Sequence, residues 1–406
     1  MRHPPLDRLR LGTVVVLSAA AVAGCAPQYS SGGASGLADR GAETATKRLE
    51  GTDAHVRFRL EPLCSIDYDG FALPLVSPDG HLAAVQATSS ADWATLLASI
   101  DGGQPNAGTV SIVSLEVAAK SKPIEVAGTD LLLGRSADDE GFLVESPRVD
   151  GSRWIGRVAW SGGDPLWLVD GDDVNAFATR GSGDAIAWCH RARDKSRFAL
   201  RVRQGGVTQE IPAPEDGSWL APTFSSDAKY LYALRLRDGV LAACAFPLSQ
   251  AMSPRPTISI DLSWRADARV AYQTLIPLRT SGSAGDARLW FFHPRFGRAA
   301  VWNPLNNRVA LASPGSASSA IVSGGRLATA SAEQFSIEPM PLEGSATEAK
   351  RTSKLLESLW IPIWGGGSST LLVVHPHDTH AGRLDVARID FDSETGEPPH
   401  REPRKK

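Results

Sequence analysis

The chain has 406 residues, 42% of them hydrophobic and 21% charged, with a formal charge of −3 at pH 7. That is apolar matter for one large domain or two ordinary ones, and too little positive charge for a chain whose main partner is nucleic acid. With 38 Gly and 27 Pro spread evenly, many short strands joined by turns fit better than long helices.

At the N-terminus Arg2, Arg8 and Arg10 precede an uncharged apolar run of 13 residues, Leu11 to Ala23. The run is too short to cross a bilayer comfortably and has the layout of a secretory signal. It ends in Val22-Ala23-Gly24-Cys25. Small residues fit a peptidase groove, and a thiol just beyond the cut can carry a thioether-linked diacylglycerol. This stretch resembles the lipobox of bacterial lipoproteins. The resemblance implies that residues 1–24 are a signal peptide and that Cys25 is the lipidated first residue of the mature chain. The alternative is an ordinary signal peptide with an incidental Cys. Ala26 stands where enterobacterial lipoproteins retained at the inner membrane carry an aspartate. By that resemblance the expected location is the cell envelope, at the outer membrane facing the periplasm. Loss of residues 1–24 takes the charge to about −5. Residues 25–54, including YSSGGASGLADRGAETATKR, are too poor in large apolar groups to offset their ordering entropy and read as a flexible tether. A short helix over Glu43–Leu49 is the alternative there.

The body, 55–391, alternates strand and turn signals. His55–Leu60 reads as an edge or closing strand, with Cys64 in the loop after it. FALPLVSPDGHLAAV, Phe71 to Val85, is a strand, a Ser77-Pro78-Asp79-Gly80 turn and a return strand, and Val110–Leu115 is a third. Between them Ser89–Gly108 is a long excursion with a helical turn expected at Ala91–Ser99. The pattern returns at Leu131–Ser136, turn Ala137–Gly141, Phe142–Glu145, Arg153–Trp160 and Pro165–Val169. Next come Val174–Thr179, Asp184–His190, Phe198–Arg203 and Thr208–Ile211. The clearest later copy is Ala221 to Leu234, APTFSSDAKYLYAL, followed by Val240–Phe246 and Thr257–Ile260. A fifth unit has Val270–Leu278, Arg288–His293, Arg298–Trp302 and Arg308–Ala312. A sixth has Ser319–Val322, Arg326–Thr329 and Gln334–Glu338, ending in polar Glu343–Lys354. A seventh has Leu359–Trp364, Thr370–His375 and Leu384–Asp390. Residues 392–406 form a polar, basic tail.

The turn positions Ser77, Ser136, Gly181, Ser225, Ser281, Ser323 and Gly366 lie 59, 45, 44, 56, 42 and 43 residues apart. Such a period, in units that cannot bury an apolar face alone, predicts an all-β fold. The expectation is a single β-propeller of seven four-stranded blades, with six or eight open and a repeated two-sheet sandwich as competitor. Pro74-Leu75-Val76-Ser77-Pro78-Asp79-Gly80, with the weaker copy Pro222 to Ala228, resembles the WD40-like repeat of TolB-type propellers. In such repeats the Asp carboxylate accepts turn N–H bonds and Gly takes the positive-φ position. TolB's separate N-terminal domain has no counterpart here.

No nucleophile elbow, phosphate loop or haem signature occurs, and no cofactor is expected. His375, His377, Asp378 and His380 are the nearest thing to a metal set. Polar residues between two strands are the plainer reading. His190 and His293 read as isolated strand-end residues. Cys64, Cys189 and Cys244 are expected as buried free thiols, with a Cys189–Cys244 bond or Cys64 paired to either as alternatives. Of the 11 Trp, most are expected to fill space between blades. Trp93, Trp219 and Trp264, near loops, are the candidates for ligand stacking. Two functions follow. One is a lipid-anchored binding or scaffold module for a protein or cell-envelope polymer. The other is an envelope glycan lyase or hydrolase drawing carboxylates from Asp138, Asp139, Asp172, Asp173 and Asp378.

Overall fold

Apolar and β-branched runs punctuated by Ser, Asp and Gly leave the backbone little choice but hairpins. The computed structural model describes residues 56–67, 74–87, 108–116, 122–128, 131–225, 228–238, 240–248, 258–265, 288–293, 298–311, 319–323, 326–330, 335–339, 352–354, 361–366, 370–376 and 382–393.

The strands are β1 (Val56–Asp67), β2 (Leu75–Val76), β3 (Leu82–Ala87), β4 (Thr109–Ser114) and β5 (Ile124–Glu125), then β6 (Leu132–Asp138), β7 (Gly141–Pro147), β8 (Arg153–Ala159) and β9 (Leu166–Val169). β10 (Val174–Arg180), β11 (Ile186–Arg191), β12 (Ala199–Gln204) and β13 (Val207–Ile211) follow, then β14 (Gly217–Phe224), β15 (Tyr230–Arg237), β16 (Val240–Pro247) and β17 (Ile258–Arg265). After them come β18 (Leu289–His293), β19 (Arg298–Asn303) and β20 (Arg308–Leu311), and β21 (Ser319–Ser323), β22 (Arg326–Ala330), β23 (Phe335–Pro339) and β24 (Thr352–Lys354). β25 (Ile361–Gly366), β26 (Thr370–Pro376) and β27 (Arg383–Ser393) end the series.

Among the described residues these strands form antiparallel sheets of three or four consecutive strands, β2–β5, β6–β9, β10–β13, β14–β17, β18–β20 and β21–β24. The architecture is all-β and propeller-like. The last sheet takes a strand from the other end of the body: its order is β1-β27-β26-β25, with Val56 opposite Ser393 and Asp67 opposite Arg383. β8 and β10 touch in parallel at Arg153 and Val174, so hydrogen bonding runs on from the β6–β9 sheet into the next.

The core lies between successive sheets. Leu75, Ala84 and Ile112 pack on Leu132, Phe142 and Val158. Leu143 and Ile155 pack on Ile186 and Trp188, and Leu200 and Val202 on Trp219, Leu231 and Phe246. Tyr232 and Leu234 meet Leu289, Phe291 and Trp302. Val76, Ala83 and Val85 meet Trp364, Leu372 and Val386 of the sheet that joins β1 to β27.

The SPDG turn behaves as the repeat implies. The Ser77 N–H donates to the Leu82 carbonyl, Leu82 N–H donates to Ser77 Oγ, and Asp79 Oδ1 accepts from Ser77 Oγ and the His81 N–H. Those bonds hold the Asp79 carboxyl below its ordinary pKa, the Ser77 hydroxyl first. Gly80 sits at φ +79° beneath the Trp364 ring, where a Cβ would lie 2.9 Å from the indole. In the Ala221–Leu234 copy Ser225 repeats both backbone contacts with Tyr230, and Ala228 takes the positive φ.

Several expectations need correction. β1 runs on to Asp67, so Cys64 lies in a strand opposite Val386 rather than in a loop. β6 extends to Asp138, so the expected Ala137–Gly141 turn shrinks to a two-residue reversal. The polar stretch Glu343–Lys354 ends in β24, held by pairing with β23 rather than by apolar pattern. Val270–Leu278, the Ala91–Ser99 turn and residues 1–55 lie outside the described residues.

Candidate functional site

The densest chemistry lies where the β6–β9 and β10–β13 sheets meet. β10 is bulged between Ala176 and Thr179, and Phe177 adopts φ 57°. A left-handed backbone at a non-glycine residue is sterically costly and turns its amide away from the ladder. The Phe177 N–H instead donates to Glu145 Oε1 at 2.7 Å. Glu145 Oε2 accepts from Arg153 Nη1 at 3.0 Å, and both side chains are buried. Each oxygen of the carboxylate therefore has a donor, as burial of a charge requires.

Beside this pair Asn175 ties the sheets together. Its Nδ2 donates to the Arg153 carbonyl at 3.1 Å, while its Oδ1 accepts Trp188 Nε1–H at 3.0 Å and lies 3.1 Å from His190 Nδ1. His190 Nε2 is 3.5 Å from Asp173. Burial pushes the His190 pKa down, Arg201 adds to that, and Asp173 and Glu210 oppose it. The buried network is thus a joint, with Asp173 at its solvent edge.

Outside the joint lies a surface of different character. The turn at Arg148–Gly151 and the loop Asp170–Asp173 are clipped together by Arg193, whose Nη2 is 2.5 Å from Asp150 Oδ2 and whose Nε donates to the Asp172 carbonyl. Trp154 Nε1–H donates to the Gly171 carbonyl at 2.9 Å, fixing that indole. Trp154 and Trp167 meet edge-on at 5.6 Å, and the Arg148 guanidinium lies 4.0 and 4.8 Å from their centroids. Trp167 has room because Gly156 carries no side chain; a Cβ there would be 2.9 Å from the ring. Both indoles are only partly exposed, and Trp167 also packs against the neighbouring core cluster.

The residues singled out from sequence fare differently. Trp219 lies in β14, two residues past the loop, and its N–H goes to the Pro212 carbonyl of that loop, but the ring is 3% exposed and edge-on to Phe246 at 5.2 Å. Its ring is core, and a ligand cannot stack on it. Trp264 is on β17 with its side chain outside the described residues, and Trp93 and Cys25 are outside them altogether. His375 lies on β26 opposite Asp385, half-buried; His377, Asp378 and His380 lie outside the described residues. Among the described residues no three His, Cys, Asp or Glu side chains gather as a metal set.

The candidate acids do not converge either. Asp138 closes β6 and pairs with Arg180 at 2.6 Å, with Asp139 beside it in the turn. Asp172 and Asp173 precede β10, at the opposite end of strands that run the same way. Cys64, Cys189 and Cys244 are all free thiols, so the alternative disulfides are absent. Burial pushes Cys64 up to about 11, with Asp385 adding to it, and Cys244 up to about 12. Cys189 is raised by burial and then by Glu145.

Trp154, Trp167 and Arg148 were not marked by the sequence reading. Glu145 had a signal: it stands nine residues after the turn position Ser136, as Gln86 stands nine after Ser77. Gln86, equally buried, accepts the Leu133 N–H through Oε1 at 2.7 Å, at the bulge in β6.

No protein-family model and no curated protein matches the chain. Among solved structures, a puromycin hydrolase mutant complexed with PGG is similar with a TM-score of 0.50 at 11% identity, over 78% of this chain and 52% of that one. The Dos1 propeller has a TM-score of 0.48 at 9% identity, over 81% and 95%. TolB from Acinetobacter baumannii has a TM-score of 0.40 at 14% identity, over 62% and 60%. At such identities a likeness concerns the fold alone. No helix among the described residues is long and apolar enough to cross a membrane.

Proposed function

We propose that this chain is a lipid-anchored, periplasm-facing β-propeller of seven four-stranded blades that acts as a binding module for a protein or cell-envelope polymer. The observation that carries the binding reading is the partly exposed Trp154–Arg148–Trp167 stack, held still by the Arg193 clip between two loops. Rigid aromatic and arginine groups at a surface supply contact area at low entropic cost. The buried carboxylate, by contrast, is consumed by the joint. The blade reading is supported by the runs of three or four strands and by the β1–β27 pairing, which brings both ends of the body into one sheet.

Residues 1–24 are the signal peptide, Cys25 carries the lipid, 26–54 is the tether, and the polar tail begins only after Ser393, where β27 ends. Several acyl chains together give stable anchoring where one alone is marginal. Isolation of the chain from detergent-solubilised membranes is the test: a partner should co-purify in stoichiometric amount. Recovery of the chain alone at several salt concentrations would sink the binding reading. Cys25→Ser should move the protein out of the detergent phase while Cys64, Cys189 and Cys244 stay in place. An unmodified Cys25 in the mature wild type would sink the anchor alone.

A further inference from the structure

Two aromatic rings, a stacked guanidinium and a group of carboxylates share one corner of the β6–β9 sheet. Their chemistry restricts what can sit there. The turn contributes Arg148 and Asp150, the loop Asp170, Asp172 and Asp173, and β11's exit Arg193, so carboxylates outnumber guanidinium groups by two. An anionic ligand would face that excess, and a simple cation would meet Arg148 across the indole faces. A ligand that both donates and accepts hydrogen bonds and has a flat apolar side meets neither obstacle. Arg148 donates and Asp172, 94% exposed, accepts, whereas Asp150 is held by Ser152 and Arg193. The indole of Trp154 is fixed by its bond to Gly171 and that of Trp167 by its seat on Gly156, so the apolar wall is formed before anything binds.

We infer that this corner binds an uncharged polyhydroxylated chain, a neutral glycan, with C–H groups of its sugar rings against the parts of Trp154 and Trp167 that Arg148 leaves open and hydroxyls shared between Arg148 and Asp172. The inference rests on the binding reading above and names its polymer. Pre-formed aromatic walls with a few convergent polar groups are the general form of such sites.

The test is calorimetric titration of the full chain, in a detergent without a sugar headgroup, with cellohexaose, chitohexaose, mannohexaose, hexagalacturonate and an acidic peptide. At least one neutral oligosaccharide should bind saturably and with little dependence on salt. Trp167→Ala should weaken it about 10-fold or more, equivalent to the loss of one stacked ring. Trp167 also packs on Gly156, so Asp172→Ala is the control for folding; its exposed side chain can go without disturbing a strand, and about 3-fold weaker binding is expected from one lost hydrogen bond. Three outcomes overturn the inference: no saturation by any neutral sugar up to about 10 mM, binding of hexagalacturonate or the peptide alone, or neutral binding untouched by both variants. A stoichiometric protein partner recovered from membranes together with any of these leaves the binding module standing and removes the glycan.

Discussion

At the joint between β7 and β10 the amide freed by a bulge meets a carboxylate; at the joint between β11 and β14 it meets a thiol. Phe177 (φ 57°) gives its N–H to Glu145, whereas Ala221 (φ 47°) has only the buried Cys189 thiol beside its amide. Both residues sit in a first strand whose ladder slips, between Ala176 and Thr179 in one and Leu220 and Thr223 in the other. A third joint, β3 to β6, uses the neutral amide of Gln86 for the Leu133 N–H. The bulge is the constant and the acceptor varies. What the variation changes is coupling: a thiol is a weak acceptor that fits an apolar cluster, whereas a carboxylate demands a counter-charge and so recruits Arg153.

The comparison can be broken most severely at Glu145. Glu145→Ala removes the buried carboxylate that Arg153 and the Phe177 amide share, for a loss of about 3–5 kcal/mol in chemical denaturation; a loss below about 1 kcal/mol would mean that water already serves this joint. Gln86→Leu removes an acceptor but no charge, and about 1–3 kcal/mol is expected by the same measurement. Cys189→Ala should cost less, about 1–2 kcal/mol, because a thiol is a weak acceptor and the side chain is small. Equal losses at all three positions would show that acceptor chemistry is irrelevant.

pH sharpens the contrast with smaller effects of opposite sign. The His190 pKa is depressed in the folded protein, so the unfolded chain takes up the proton first, and stability should fall as pH drops below about 6.5. His190→Gln should flatten that acid limb in thermal melts. The thiols are shifted upward, so the unfolded chain loses its proton first. Stability is then fully present below about 8.5 and declines as pH rises toward the folded value, about 12 for Cys244. An alkaline limb unchanged in Cys189→Ala and Cys244→Ala would assign it to other groups.

The strand inventory was legible because side-chain alternation and turn chemistry are local. Ser77, Pro78, Asp79 and Gly80 close a hairpin through contacts within six residues, Ser77 to Leu82. β24 was not legible: Thr352–Lys354 is a strand only because Phe335–Ile337 lies alongside. The burial of Trp219 was hidden for the same reason, since a residue beside a loop in sequence has its ring packed on Phe246 in space. Trp154 and Trp167 meet across two strands, at a distance fixed by the glycine between them, and their residue types alone do not announce it.

The sequence by itself determined where the turns fall, the all-β class, the Cys25 context and the periodic placing of Gln86 and Glu145, because each rests on residues close along the chain. Only the tertiary structure decided which buried acceptor serves which bulge, that the candidate acids lie at opposite ends of their strands, and that two indoles and a guanidinium share one corner. Those outcomes depend on how one sheet packs and slips against the next, an interaction between segments tens of residues apart that no local pattern encodes.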